Sequence, residues 1–262
     1  MGECKIAIPL IEDTNIKEFM ELLKNNKLDA QYRDFTEILG YVSDIESKLK
    51  SALGEVIKLE KRVNQMENKQ FKNVCMKMVS NLKSTIREAF AKLGEIKTAI
   101  VEGAKNAVIA FKEKGISALN AVMKFFKIKD GLNSMRESVN KSIVSANTAI
   151  NKIEQISSEI HAAGSHRRNI FRIMANKETK DDIKSNGNVM KVIQVPFKAV
   201  KAIMSGTKNV ILMATAKLEN LDKAVQMNKE KKPSLLAEIK NFKAPEKMTE
   251  VDRSKKRDTA LE

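Results

Sequence analysis

The sequence predicts an all-α protein, an elongated antiparallel helical bundle with long coiled-coil-like helices, and three observations predict it. Apolar residues recur every seven positions over several long stretches, the spacing that keeps one seam of a helix against its neighbour. No proline occurs between Pro9 and Pro196, so nothing in that interval forces a helix to break. Four prolines, ten glycines and 5% aromatic residues are too few for the turn-rich strands of a sandwich or barrel.

Asp13 or Thr14 can cap a short first helix whose apolar face is Ile16, Phe19, Met20 and Leu23. A second helix begins near Asp29. In it Phe35, Val42, Leu49, Val56 and Val63 stand seven apart, and Ile38, Ile45, Ala52, Leu59 and Met66 form a parallel series three residues on. Five heptads of filled seam positions are the strongest structural signal in the chain.

A third helix is expected from about Phe71 to Lys129, with Leu82, Ile86, Leu93, Ile96 and Ile100 as its first face. Past Glu102, small residues (Gly103, Ala107, Ala110, Gly115, Ala118) alternate with large ones (Val108, Phe111, Leu119, Val122, Phe126). Small residues let a second backbone approach closely. Glycine costs a helix about 1 kcal/mol against alanine, so close packing or a kink must offset Gly103 and Gly115.

Asp130-Gly131 is the expected turn. The heptads then return as Leu132, Val139, Ala146, Ile153 and Ile160, with Met135, Ser142, Ala149, Ile156 and Ala163 three residues on. Ile143 and Ile150 widen the stripe beyond a two-stranded seam, which points to a bundle. Asn176 to Asn188 is a polar loop. Val189 to Val195 is expected as a short buried helical turn leading to a fifth helix from Pro196 to about Lys229, with Val200, Thr207, Ala214 and Leu221 beside Met204, Ile211, Leu218 and Val225. Pro233 opens a short helix, and the charged chain after Pro245 is expected to be disordered. The domain reading is therefore an N-terminal segment over 1–28, a bundle over 29–230, and a short helix with a charged tail over 231–262.

Chemistry finds little support in the residue types. Cys4 and Cys75 are too few for a disulfide framework or zinc knuckle, and two reduced thiols suit a cytoplasmic protein. Neither a signal peptide nor a membrane span is expected, since Ile6 to Ile11 is short and contains Pro9. His161 and His166 are five residues apart, which puts their rings about 140° apart on a helix, unsuited to a shared metal. No nucleophile stands in a Ser-His-Asp or Cys-His pattern, and the scattered glycines form no phosphate-cradling loop. The chain is read as a non-enzyme without cofactor, metal or small-molecule substrate.

Two surfaces are candidates instead. The net charge is +15, but residues 1–60 carry eight basic and twelve acidic side chains, so the cations are concentrated later. Arg167, Arg168, Arg172, Lys191, Lys198, Lys201 and Lys208 could contact a nucleic-acid backbone non-specifically; a solvated basic face is the plainer alternative. Val108, Phe111, Leu119, Val122 and Phe126 fall on one side of an amphipathic helix over 104–129 that could lie on an anionic membrane or meet a partner. The continuity of that stripe with the preceding helix favours burial.

The runs Glu102-Gly-Ala-Lys-Asn-Ala-Val, Phe111-Lys-Glu-Lys-Gly-Ile-Ser-Ala-Leu-Asn, Lys129-Asp-Gly-Leu, Glu159-Ile-His-Ala-Ala-Gly-Ser-His and Val195-Pro-Phe-Lys-Ala resemble a family of helical proteins carried on integrative conjugative elements of low-GC bacteria. The resemblance covers roughly residues 14–232. It implies an intracellular bacterial protein of a mobile element and carries no catalytic, cofactor or other site residue onto this chain. The function expected is a non-enzymatic scaffold that binds protein partners, or itself, through coiled-coil faces. The alternatives are a nucleic-acid accessory protein using 167–208 and a membrane-surface protein using 104–129.

Overall fold

The computed structural model describes residues 10–115, 126–180 and 188–230, and among them the regular structure is helical throughout. After a 3-10 turn at Leu10–Glu12 come α1 (Thr14–Asn25), α2 (Asp29–Asn64), α3 (Lys69–Lys114), α4 (Phe126–Met174) and α5 (Asn188–Glu230). Met1–Val225 form one compact unit; of the second, Gln226–Glu262, the described part is the end of α5.

Asp13 caps α1: its carboxylate accepts the backbone N–H groups of Asn15 at 2.9 Å and Ile16 at 3.4 Å, two donors the helix cannot satisfy itself. The helix ends on Lys27, which adopts φ 57° while the Leu28 N–H donates to Leu23 O at 3.0 Å, a Schellman closure. Ile16, Phe19 and Leu23 are buried, and the Phe19 ring meets that of Phe35 edge-on with centroids 5.0 Å apart. The first helix is therefore part of the bundle core rather than a segment apart from it.

The four long helices are antiparallel in sequence order. Glu46 on α2 pairs with Lys97 on α3 at 2.6 Å, and Glu60 pairs with Lys83 at 2.6 Å. Fourteen residues forward on one helix thus match fourteen backward on the other. On the next pair, Ser145 faces Asn81 and Ser138 faces Glu88, an equal and opposite step of seven. Lys198 pairs with Glu154 and Lys129 with Glu219, joining α5 to α4. Lys217 reaches Asp34 at 2.6 Å and Glu37 at 2.8 Å, which returns α5 to α2.

The heptads are the core. Phe35, Val42, Leu49, Val56 and Val63, with Ile38, Ile45, Ala52 and Leu59, are all buried on α2, as are Leu132, Met135, Val139, Ser142, Ala146, Ala149 and Ile153 on α4. A polar contact joins α3 and α4 within this core: Ser142 donates to Thr85 Oγ1 at 2.9 Å, and its own i−4 carbonyl, Ser138 O, lies 3.1 Å away. Cys75 is fully buried, and desolvation pushes its thiol up to about 11.

Four expectations are corrected. The third helix does not run to Lys129: it stops at Lys114, where Gly115 takes φ 68° and its N–H closes on Phe111 O at 2.8 Å. Glycine reaches that left-handed region without a steric penalty. Asp130-Gly131 is not a turn but lies inside α4, where Gly131 packs directly on Ile96. Pro196 does not open the fifth helix, which starts at Asn188 and runs through it. The α4 heptads do not stay buried to their end: Ile160 and Ala163 are exposed.

Candidate functional site

The overhang of α4 follows from register. Glu88 opposite Ser138, carried back one residue for one, sets the first residue of α3, Lys69, level with Ser157. Ser157 is also the last buried residue of α4. Beyond it, the Glu154–Lys198 pairing sets the start of α5, Asn188, level with Gly164. From Ser165 to Met174 no described helix lies beside α4, about 15 Å of helix at about 1.5 Å per residue.

The seam spacing nevertheless continues. Ile153, Ser157, Ile160, Gly164, Arg167, Phe171 and Met174 alternate four and three residues apart. The first two are buried, whereas Ile160 is 56%, Phe171 61% and Met174 77% exposed. Ile170 and Ile173 are exposed as well. These are five large apolar side chains in water at one end of one helix, which makes that end a candidate contact surface.

This end is built rather than frayed. Asn176 takes φ 56° and the Lys177 N–H donates to Arg172 O at 2.8 Å, so α4 closes with a Schellman motif. The chain then folds back. Asn169 Nδ2 donates to Lys180 O at 3.1 Å, the Lys180 N–H donates to Asn169 Oδ1 at 3.1 Å, and Arg172 Nε donates to Glu178 O at 2.7 Å. Arg167, Lys177 and Lys180 stand exposed around it, and no acidic residue occurs from Ile160 through Lys177. His161, one turn before, has a solvent-shielded Nε2 with no hydrogen-bond partner.

The structure divides the predicted basic set. Arg167, Arg168 and Arg172 sit on the overhang, with Lys191 near the start of α5. Lys198 pairs with Glu154, and Lys201 and Lys208 are half-buried farther along α5. From Arg172 to the level of Lys208 is about 40 Å at about 1.5 Å per residue, so these cations form a strip and not one patch. Of the predicted apolar face, Val108 is buried and Phe111 half-buried against the core. Leu119 and Val122 and the side chain of Phe126 lie outside the described residues. The exposed apolar set at 160–174 was missed because its spacing matches that of the buried heptads.

A cleft of about 380 Å³ lies between the start of α1 and α3, lined by Leu10, Glu12, Asp13, Lys97, Val101 and Glu102 among others. Several of its charges already have structural partners. Glu12 pairs with Lys17 at 2.6 Å, Asp13 caps α1, and Lys97 is held by Glu46. Burial raises the Glu46 carboxyl, but hydrogen bonds from Lys97 and Lys50 and their charges outweigh it and hold it below the usual range. Among the described residues no group of three or more His, Cys, Asp or Glu could hold a metal ion.

The model of one protein family matches residues 12–260 of this chain, nearly its whole length and all five helices. The chain belongs to the family of unknown function DUF6674. No curated protein matches it. Membership in DUF6674 thus extends over both the closed bundle and the α4 overhang.

Proposed function

We propose that this DUF6674 protein is a non-enzymatic helical scaffold whose work is binding, and that the free end of α4 is its contact surface. The single observation that carries this reading is the continuation of the α4 seam, through Ile160, Phe171 and Met174, beyond the level at which α3 begins, at Lys69. The five-heptad face of α2 supports it in another way than the sequence suggested. That face is filled from within the chain, so it stiffens the body rather than offering itself to a partner. The resemblance to proteins of integrative conjugative elements supports placing it with a bacterial mobile element, and its reduced thiol supports the cytoplasm.

Photo-crosslinking in cells tests the reading. A benzophenone amino acid replacing Phe171 is expected to capture a macromolecule or lipid, while one replacing the exposed Lys61 on the bundle body is not. Equal capture, or none, at both positions removes the overhang as the contact surface.

A further inference from the structure

We propose that the end of α4 seats on an anionic lipid surface, Phe171, Ile173 and Met174 entering the boundary between headgroups and acyl chains while Arg167, Arg172, Lys177 and Lys180 meet lipid phosphates. This rests on the preceding reading that the overhang is a contact surface, and names what it contacts.

Three features select this occupant. The first is angular. At about 100° per residue, Ile170, Phe171, Ile173 and Met174 spread over about 160° of the helix circumference. A single neighbouring helix covers a narrower seam, whereas a headgroup layer closes around a helix end from several sides. The second is charge. From Ile160 through Lys180 five arginines and lysines stand against one carboxylate, Glu178, so a second copy meeting tip to tip would bring mostly like charges together. An anionic surface attracts them. The third is the mixture itself: a nucleic-acid backbone would take the cations but leave the apolar side chains in water, while an anionic bilayer takes both.

Local order and helix length fit the same occupant. The Schellman closure and the bonds from Asn169 and Arg172 hold the tip in place before contact, so little ordering cost arises on docking. Among the described residues no helix is long and apolar enough to cross a membrane, so the contact is superficial. Weak apolar insertion and a basic cluster are each marginal alone and sufficient together.

Vesicle flotation of the full chain tests the inference. Vesicles of phosphatidylcholine with about 30% phosphatidylserine, at about 0.1 M salt, are compared with phosphatidylcholine alone. The wild type is expected to float at least about tenfold more with the anionic vesicles. Phe171→Glu/Met174→Glu and Lys177→Glu/Lys180→Glu should each lose most of that binding, while Ile57→Glu on the body should keep it; circular dichroism checks that all stay folded. No flotation with anionic vesicles, equal flotation with neutral ones, or equal loss at Ile57→Glu overturns the inference. So does retained binding by Phe171→Glu/Met174→Glu that a short DNA duplex competes away, which would assign the cations to nucleic acid. Failure here combined with protein capture at Phe171 would leave the scaffold reading standing and remove only the lipid.

Discussion

Gly131 on α4 lies against the side chain of Ile96 on α3: a methyl group on its Cα would stand 2.8 Å from Ile96 Cγ1. Ile96 is β-branched and fully buried, so it has no free direction in which to give way. Gly131→Ala is expected to destabilise the bundle by about 1–2 kcal/mol despite the gain in helix propensity. Gly94, two residues from Ile96 on α3, has open space where a Cβ would go, and Gly94→Ala should stabilise by about 0.5–1 kcal/mol. Denaturant unfolding of the two variants should shift in opposite directions, and the Gly131→Ala penalty should shrink in an Ile96→Ala background.

Lys27 holds a left-handed backbone at the end of α1. Lys27→Gly is expected to raise stability by about 0.5–1 kcal/mol, read as a higher midpoint at unchanged m-value.

The ion pairs set opposite ends of the pH profile. Hydrogen bonds that Lys217 donates to Asp34, then to Glu37, raise its amine above its usual range. Its contribution is therefore complete below the unfolded-state value and fades as pH rises through the folded one. Glu46 is lowered, so its contribution is complete above the unfolded-state value and fades as pH falls through the folded one. Lys217→Met should cost about 0.5–1 kcal/mol at neutral pH and nothing at strongly alkaline pH. Glu46→Gln should lose a similar amount at neutral pH and converge with wild type in acid.

The exposed end of α4 should be separable from folding. Phe171→Glu is expected to change unfolding free energy by less than about 0.5 kcal/mol, whereas Phe197→Ala, fully buried on α5, should cost about 3–5 kcal/mol. A comparable loss at Phe171 would mean that its ring belongs to the fold.

Burial keeps the Cys75 thiol up at about 11, so it is neutral and shielded near pH 8. In a Cys4→Ser variant, Cys75 should resist thiol reagents in the native protein and react at a rate set by unfolding.

What the sequence determined by itself was periodic: helices in heptads, the start of α2 near Asp29, a cap for α1 at Asp13 or Thr14, and the buried stripes through Val63 and Ile153. These are local properties, fixed by which side chains recur on one face. Tertiary structure decided where that face finds a partner. Gly131 looks like a turn residue until Ile96 is placed beside it, and Gly115 looks like a packing residue until its backbone turns left-handed. Val108 shares its spacing with a membrane-seeking helix, but its neighbours bury it. Phe171 and Met174 share theirs with the core, yet remain in water because α3 begins only at Lys69. A heptad records how a helix would bury a face, and the lengths and register of the other helices set how far along it that burial can go.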